Sequence, residues 1–120
     1  IYFKIAFKKM KKIYYLKTCD TCIRILKEMD TSDFILQEIK TAPITVKQLD
    51  EVYALTKSYE VLFSRRAKKY KQMDLKNQEL AEKDFRQLIL DEYTFLKRPV
   101  IVNKKEVYVG NSKKRADNFK

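Results

Sequence analysis

The amino-acid sequence predicts an α/β fold with a mixed four-stranded sheet and a helical insertion between the second and third strands. Three observations support this prediction: the order of the predicted elements, a Cys-x-x-Cys motif where a strand passes into a helix, and an Arg-Pro pair at the start of the third strand. The predicted order is strand, helix and strand, then a helical stretch, then two strands and a last helix.

The start of the chain predicts a β-α-β unit. Apolar runs predict strands at residues 13–16 and 34–39, and the second run is nearly continuously apolar at its start. A helix is predicted between them at residues 20–30. Apolar residues recur along this helix at helical spacings: Cys22, Ile23, Leu26 and Met29. Because a helix joins the two strands, we expect them to run parallel.

The middle of the chain predicts helices. Pro43 ends the second strand, and Thr45 is a suitable N-cap for a helix at residues 46–57. A basic cluster follows at residues 65–71, and a second amphipathic helix is predicted at 82–93. The apolar stripe of that helix consists of Phe85, Leu88, Ile89 and Tyr93.

The end of the chain predicts a hairpin. Apolar segments at residues 99–102 and 106–109 flank a short polar turn at 103–105, which is the pattern of two paired antiparallel strands. Gly110 ends the hairpin, and residues 113–119 are predicted to form the last helix.

Cys19 and Cys22 are the only cysteines of the chain. The partial positive charge at a helix N-terminus stabilises a thiolate and lowers its pKa, and the thiolate is the nucleophilic form of cysteine. The motif therefore predicts a redox pair with Cys19 as the attacking sulfur. No metal site is expected, because a structural zinc needs four ligands and the chain has no histidine and no further cysteine. The remaining alternative is a pair of buried, inert thiols.

Length and composition predict one globular domain. The chain has 120 residues, of which 45% are hydrophobic, and this suffices for one core. We expect the domain at residues 10–120. Residues 1–9 are interpreted as an extension, which is too short and too interrupted by lysine to be a secretory or membrane segment. Two cysteines and no recognisable signal peptide predict a cytoplasmic location.

The formal net charge of +11 is large for this length. Such a charge fits an anionic substrate, an acidic protein partner or a nucleic acid. A lysine-rich, solvated surface is the simpler explanation for most of the lysines. One helix-sized basic cluster at residues 65–71 is more often a solvated face, so the sequence does not favour direct binding of nucleic acid.

Four segments, taken in order, carry a family resemblance: residues 14–22, 63–70, 97–102 and 109–111. Together they resemble the glutaredoxin-coupled arsenate reductases and the related Spx-type regulators of RNA polymerase, over roughly residues 12 to 119. The resemblance implies a thioredoxin-like fold. In such folds a cis-proline opens the third strand and faces the Cys-x-x-Cys motif, a position that Pro99 matches.

The resemblance also implies roles for individual residues. Cys19 matches the nucleophile, and Arg98 matches an arginine that binds the oxyanion. Arg66, in preference to Arg65, matches a further oxyanion-binding arginine. Arginine suits such an anion because it offers two-point contacts and a permanent charge. Backbone N–H groups at the helix start, near Thr21, are expected to complete the anion cradle.

Two positions depart from the reductase pattern. The family's reductases commonly have serine where this chain has Cys22, and they carry a third arginine near the position of Val109. A cysteine at position 22 matches the Spx-type pattern and many thiol oxidoreductases. Such a thiol can resolve an adduct on Cys19 within the chain.

The expected function is therefore a thiol-dependent reductase that acts on arsenate, another small oxyanion or a disulfide. No bound cofactor is expected, and glutathione, glutaredoxin or thioredoxin would reduce the Cys19–Cys22 disulfide. The alternative is an Spx-like redox-sensing regulator that binds RNA polymerase, in which the same cysteine pair is the switch and the basic surface meets an acidic partner.

Overall fold

The computed structural model describes residues 11–110, which form two compact units. The first unit holds the sheet and comprises, of the described residues, 11–42 and 98–110. The second unit is Pro43–Lys97. The extension at residues 1–9 and the last helix at 113–119 lie outside the described residues. The single domain at residues 10–120 stays a prediction.

The first unit contains a mixed four-stranded sheet with the order β2-β1-β3-β4. The strands are β1 (Lys11–Tyr15), β2 (Ile35–Glu38), β3 (Val100–Asn103) and β4 (Glu106–Val109). Strand β1 is parallel to β2 and antiparallel to β3, and β3 and β4 form the antiparallel hairpin. These pairings confirm the predicted fold class.

Helix α1 (Asp20–Glu28) connects β1 to β2. Its apolar stripe packs on one face of the sheet, where Ile25 and Met29 form a buried cluster with Ile13 of β1 and Ile101 of β3. The helix ends two residues before the predicted boundary, since the backbone of Met29 is already extended. The side chain of Met29 is nevertheless buried. The predicted stripe is confirmed for Cys22 and Met29, but it omitted the buried Ile25, and Ile23 and Leu26 are only partly buried.

Strand β2 lies at the edge of the sheet. The apolar run that predicts this strand is exposed at its start: Ile35 is 66% and Leu36 is 45% exposed. An apolar run fits a strand buried on both faces, but only β1 pairs with β2. The apolar run therefore predicted the position of the strand correctly, but it did not predict that the strand is exposed.

The second unit is helical. It contains α2 (Val46–Thr56), α3 (Lys68–Gln72) and α4 (Glu82–Asp91), with short 3-10 turns at Glu60–Leu62, Leu75–Asn77 and Tyr93–Phe95. Its core centres on the ring of Phe63, which lies 5.0 Å from the rings of both Phe85 and Phe95. The basic cluster at residues 65–71 forms a turn and most of α3.

The helix predicted at residues 82–93 is shorter in the structure. Helix α4 ends at Asp91 because Glu92 takes an extended backbone, and a 3-10 turn follows. The carboxylate of Glu92 accepts hydrogen bonds from the backbone N–H of Thr94 and from Lys69 Nζ. Tyr93 thus belongs to the turn that follows the helix.

A polar cluster ties α2 to α4. The carboxylate of Asp50 accepts two hydrogen bonds from the Arg86 guanidinium, both at 3.0 Å, and one from the Tyr59 hydroxyl at 2.7 Å. The hydrogen bonds of Arg86 and Tyr59 hold the pKa of the Asp50 carboxyl below its ordinary value. Two-point contacts between arginine and a carboxylate fix geometry as well as charge.

We predict that Thr45→Ala destabilises the protein by about 1 kcal/mol. Thr45 and Gln48 form a reciprocal capping box at the start of α2, with hydrogen bonds of 3.1 and 3.0 Å. Val46→Ala, one position along the same exposed turn, is the matched control and should change stability by less than about 0.5 kcal/mol. Chemical denaturation measures both. Equal effects of the two substitutions would contradict the importance of the cap.

Candidate active site

The Cys-x-x-Cys motif follows β1 after a short connection at residues 16–18, in the order that the sequence predicts. Cys19 is the N-cap of α1, with an extended backbone. Its carbonyl accepts the N–H of Ile23, and its own N–H donates to the carbonyl of Leu16 at 3.1 Å. Cys19 is partly exposed, whereas Cys22 is 0% exposed. The two free thiols therefore occupy different environments, three residues apart.

The buried thiol is held in its protonated form. Burial raises the pKa of Cys22 to about 12, and the charge of the Cys19 thiolate also raises it. A hydrogen bond from the Leu16 backbone and the charge of Arg98 act in the opposite direction but are smaller. Cys22 is thus a poor nucleophile near neutral pH while Cys19 is ionised.

The more exposed thiol, that of Cys19, is stabilised in its ionised form. Burial raises the pKa of Cys19, but four other influences together outweigh it and leave the pKa below its ordinary value. They are hydrogen bonds from the backbone N–H and the thiol of Cys22, and the charge and hydrogen bond of the Arg98 guanidinium. Hydrogen bonds and opposite charges stabilise the ionised form of an acid directly.

Sheet pairing brings Arg98 to this thiolate. Strands β1 and β3 are antiparallel, and Tyr14 pairs with Val100, so the residues before β3 lie beside the end of β1. The Arg98–Pro99 peptide bond is cis, and the carbonyl of Pro99 accepts the N–H of Gly110 at 3.0 Å. Arg98 is half-buried, and its Nε is inaccessible to solvent. The guanidinium lies beside Cys19 and donates a hydrogen bond to its sulfur.

Thr21 lies in the first turn of α1 and is partly exposed. The first N–H groups of a helix have no partner within the helix, so they are available to the Cys19 sulfur or to an anion beside it. The short spacing of the motif places these donors and the nucleophile in the same turn.

The two arginines of the middle segment belong to the second unit and have different surroundings. Arg65 donates to the Glu60 carboxylate at 2.8 Å, and its guanidinium lies over the rings of Phe63 and Phe85. Arg66 is exposed in the turn before α3, and its side chain has no ion pair or hydrogen bond among residues 11–110. Arg65 is thus engaged locally, whereas Arg66 is available to bind an anion.

Glu38 is a contributor to this region that the sequence analysis missed. Its carboxylate accepts hydrogen bonds from the backbone N–H of Lys17 at 3.2 Å and from the N–H and hydroxyl of Thr41 at 3.0 and 3.1 Å. One signal could have identified it. A carboxylate at the end of a strand that is parallel to β1 must lie beside the loop that leaves β1.

The described residues contain neither a membrane-spanning helix nor a cluster of metal-binding side chains. No helix within residues 11–110 is long and apolar enough to cross a membrane. In the same part of the chain, no group of three or more histidine, cysteine, aspartate or glutamate side chains is arranged to hold a metal ion.

Comparison with solved structures supports the same fold. An arsenate reductase from Vibrio cholerae has a TM-score of 0.72 at 16% identity and covers 92% of this chain and 98% of its own. An arsenate reductase (ArsC) related protein from Brucella melitensis has a TM-score of 0.67 at 20% identity, covering 92% and 93%. A protein from Staphylococcus aureus COL has a TM-score of 0.72 at 24% identity, covering 92% and 98%.

At these identities the structural likeness establishes the thioredoxin-like fold. A search of curated proteins gave no match. A family model provides the more specific result, since the model of the ArsC family matches residues 14–119. This match includes both cysteines, Arg66 and Arg98, and spans most of the sequence. The chain therefore belongs to the ArsC family.

Proposed function

We propose that this chain is a thiol-dependent reductase in which Cys19 is the nucleophile and Cys22 the resolving thiol. Membership of the ArsC family supports a thiol-dependent oxidoreductase function in general. The observation that carries the specific proposal is the contrast between the two thiols: the pKa of Cys19 is lowered and that of Cys22 is raised to about 12. Such a contrast supports an order in which Cys19 reacts before Cys22.

The first step with arsenate is an attack by the Cys19 thiolate. The sulfur forms a bond to arsenic, and one arsenate hydroxyl takes up a proton from solvent and leaves as water. Arsenic remains As(V) in this covalent adduct. Arg98 balances the negative charge beside the sulfur, and the N–H groups of the first turn of α1, near Thr21, provide further donors for the oxyanion.

The second step is an attack by Cys22 on the Cys19 sulfur. The S–S bond forms as the S–As bond breaks, and the electron pair of the broken bond stays on arsenic, which leaves as As(III). Formation of the adduct removes the Cys19 thiolate, whose charge contributes to the raised pKa of Cys22. The nearby Arg98 charge continues to favour the Cys22 thiolate. Reaction of Cys19 therefore removes one of the causes that raise the pKa of Cys22 and makes its ionisation easier.

The third step restores the two thiols. A dithiol protein of the glutaredoxin or thioredoxin type, or two glutathione molecules, supplies two electrons by thiol–disulfide exchange. The Cys19 sulfur is the accessible end of the proposed disulfide, because Cys22 is buried. The same sequence of steps reduces a disulfide substrate, with the mixed disulfide on Cys19 in place of the arsenic adduct.

A disulfide is the second candidate substrate, and two positions favour it. Cys22 stands where the family's reductases commonly have serine, and Val109 stands near the position of a third arginine. A charge-assisted hydrogen bond contributes roughly 1.5–3 kcal/mol, so one fewer arginine weakens oxyanion binding. The family resemblance implies a role in oxyanion binding for Arg66 as well, which is exposed in the turn before α3.

We predict that Cys19 reacts with alkylating agents first and Cys22 hardly at all near neutral pH. The reason is that only the thiolate is nucleophilic, and the pKa of Cys22 is raised to about 12. Pulse alkylation of the reduced protein, followed by mass mapping, measures the order. Cys22→Ser is the control, because it should leave one reactive site. Labelling of Cys22 at the rate of Cys19 would contradict the assigned roles.

We predict that Arg98→Ala raises the pKa of Cys19, because both the charge and the hydrogen bond of this guanidinium lower it. A higher pKa leaves less thiolate at a pH below the pKa, so alkylation should be slower by up to about tenfold. Arg98→Lys should restore part of the effect, since an ammonium retains the charge without the planar two-point contact. Lys27→Ala, an exposed charge at the far end of α1, should have little effect.

Turnover assays with arsenate and with a small disulfide, each coupled to glutaredoxin and thioredoxin systems, test the function itself. We expect turnover of at least one substrate by the wild-type protein and loss of turnover in Cys19→Ser. Arg66→Ala should impair turnover of arsenate more than turnover of the disulfide, with Arg24→Ala as the charge-matched control. Inertness of the wild-type protein toward both substrates would overturn the reductase proposal and favour the Spx-like regulator.

A further inference from the structure

The carboxylate of Glu38 reaches into the loop that carries the nucleophile. Glu38 is the last residue of β2 and pairs in register with Tyr15, the last residue of β1. The N–H of Ile39 donates to the carbonyl of Tyr15 at 2.9 Å, so the parallel ladder continues to this point. Beyond it, the Glu38 side chain replaces the backbone as the acceptor, and the N–H of Lys17 donates to its Oε2 at 3.2 Å.

The Lys17 N–H and the Leu16 carbonyl belong to the same planar peptide group. The Leu16 carbonyl accepts the N–H of Cys19 at 3.1 Å. The Leu16 N–H, in the preceding peptide group, donates to the thiol of Cys22. One short backbone segment therefore contacts both cysteines, and Glu38 binds the peptide plane that orients the first contact. A planar unit held at its N–H is also fixed at its carbonyl.

We propose that Glu38 is a positioning residue for the nucleophile. Its carboxylate holds the Leu16–Lys17 peptide plane in the orientation that lets the Leu16 carbonyl accept the Cys19 N–H. Cys19 is thereby kept within reach of Arg98 and of the first amides of α1. The catalytic consequence rests on the proposed function, but the positioning itself concerns the state of one thiol and can be measured without turnover.

The carboxylate suits this task because it is itself held in place. Its Oε1 accepts the N–H and the hydroxyl of Thr41, and the N–H of Ala42 donates to the Glu38 carbonyl. The Gln37 amide donates to the carbonyl of Ala42 at 2.9 Å. Burial raises the pKa of the Glu38 carboxyl. Hydrogen bonds from Thr41 and Lys17 and the charge of Lys17 together lower it by more, so the pKa lies below its ordinary value. The group thus stays ionised at neutral pH.

Positioning and direct charge have opposite signs at Cys19. A negative charge near a thiolate raises the thiol pKa, so removal of the Glu38 charge alone would lower the pKa of Cys19. Loss of positioning weakens the contacts that favour the thiolate, namely those of the Cys22 amide and Arg98, and raises the pKa. The direction in which the Cys19 pKa changes therefore distinguishes positioning by Glu38 from the direct effect of its charge.

The test is the pH dependence of Cys19 alkylation in the reduced full-length protein, comparing wild type with Glu38→Gln. Glutamine has nearly the same size but offers one acceptor oxygen, so it cannot satisfy Lys17 and Thr41 together. We expect a raised Cys19 pKa and alkylation at neutral pH that is roughly three- to tenfold slower. An unchanged or lowered pKa would overturn the proposal.

Thr41→Val is the matched control. It removes a hydrogen bond to the same carboxylate and leaves the contact with Lys17 intact, so Cys19 should react within about twofold of wild type. If both variants slow Cys19 equally, Glu38 acts through general stability of the turn and the proposal is wrong. If wild type lacks turnover while Glu38→Gln raises the Cys19 pKa, the function fails and the positioning role stands.

Hydrogen exchange of the wild-type protein gives a test that needs no variant. Lys17 is exposed in a turn, and the Glu38 bond is the reason its N–H should be protected. We expect slow exchange of the Lys17 amide. Exchange at the rate of a free amide would overturn the proposal even if Glu38→Gln does not fold.

Discussion

Partial burial of a thiolate is the constraint on which the rest of the first unit depends. A charged sulfur that loses water needs donors from the protein, or it takes up a proton. The burial of Cys19 raises its pKa, and the net lowering exists only because donors from separate parts of the chain meet there. The start of α1 contributes Cys22, while β3 contributes Arg98 through its antiparallel pairing with β1. The pairing of β1 with β3 therefore brings the parts of the site together.

The same donors link the two cysteines. Ionised Cys19 raises the pKa of Cys22, whereas Arg98 lowers the pKa of both thiols. Arg98 thus supports whichever sulfur carries the charge, and the charge of Cys19 prevents Cys22 from ionising at the same time. Two neighbouring thiols with one shared guanidinium are expected to ionise one after the other. This property follows from the burial of Cys22 together with the charge of the Cys19 thiolate.

The sequence was informative wherever local chemistry decides structure. The Cys-x-x-Cys junction, the capping role of Thr45 and the hairpin at the end of the chain are encoded by a few adjacent residues, and all appear in the structure. Contacts between distant residues could not be read in this way. The contact of Arg86 with Asp50 depends on tertiary packing, as does the bond from Lys17 to the Glu38 carboxylate. The end of α4 depends on a side-chain contact of Glu92 that no glycine or proline marks.

The most direct measurement of the central claim is the ultraviolet titration of thiolate absorbance in the reduced protein, with Cys22→Ala and Cys19→Ala as references. The account predicts that one thiolate forms below the ordinary pKa of a cysteine and is absent in Cys19→Ala. It predicts that the second forms only at strongly alkaline pH, because the pKa of Cys22 is about 12. Two thiolates that form together near the ordinary thiol pKa would contradict the account, because the site would then not distinguish the two sulfurs.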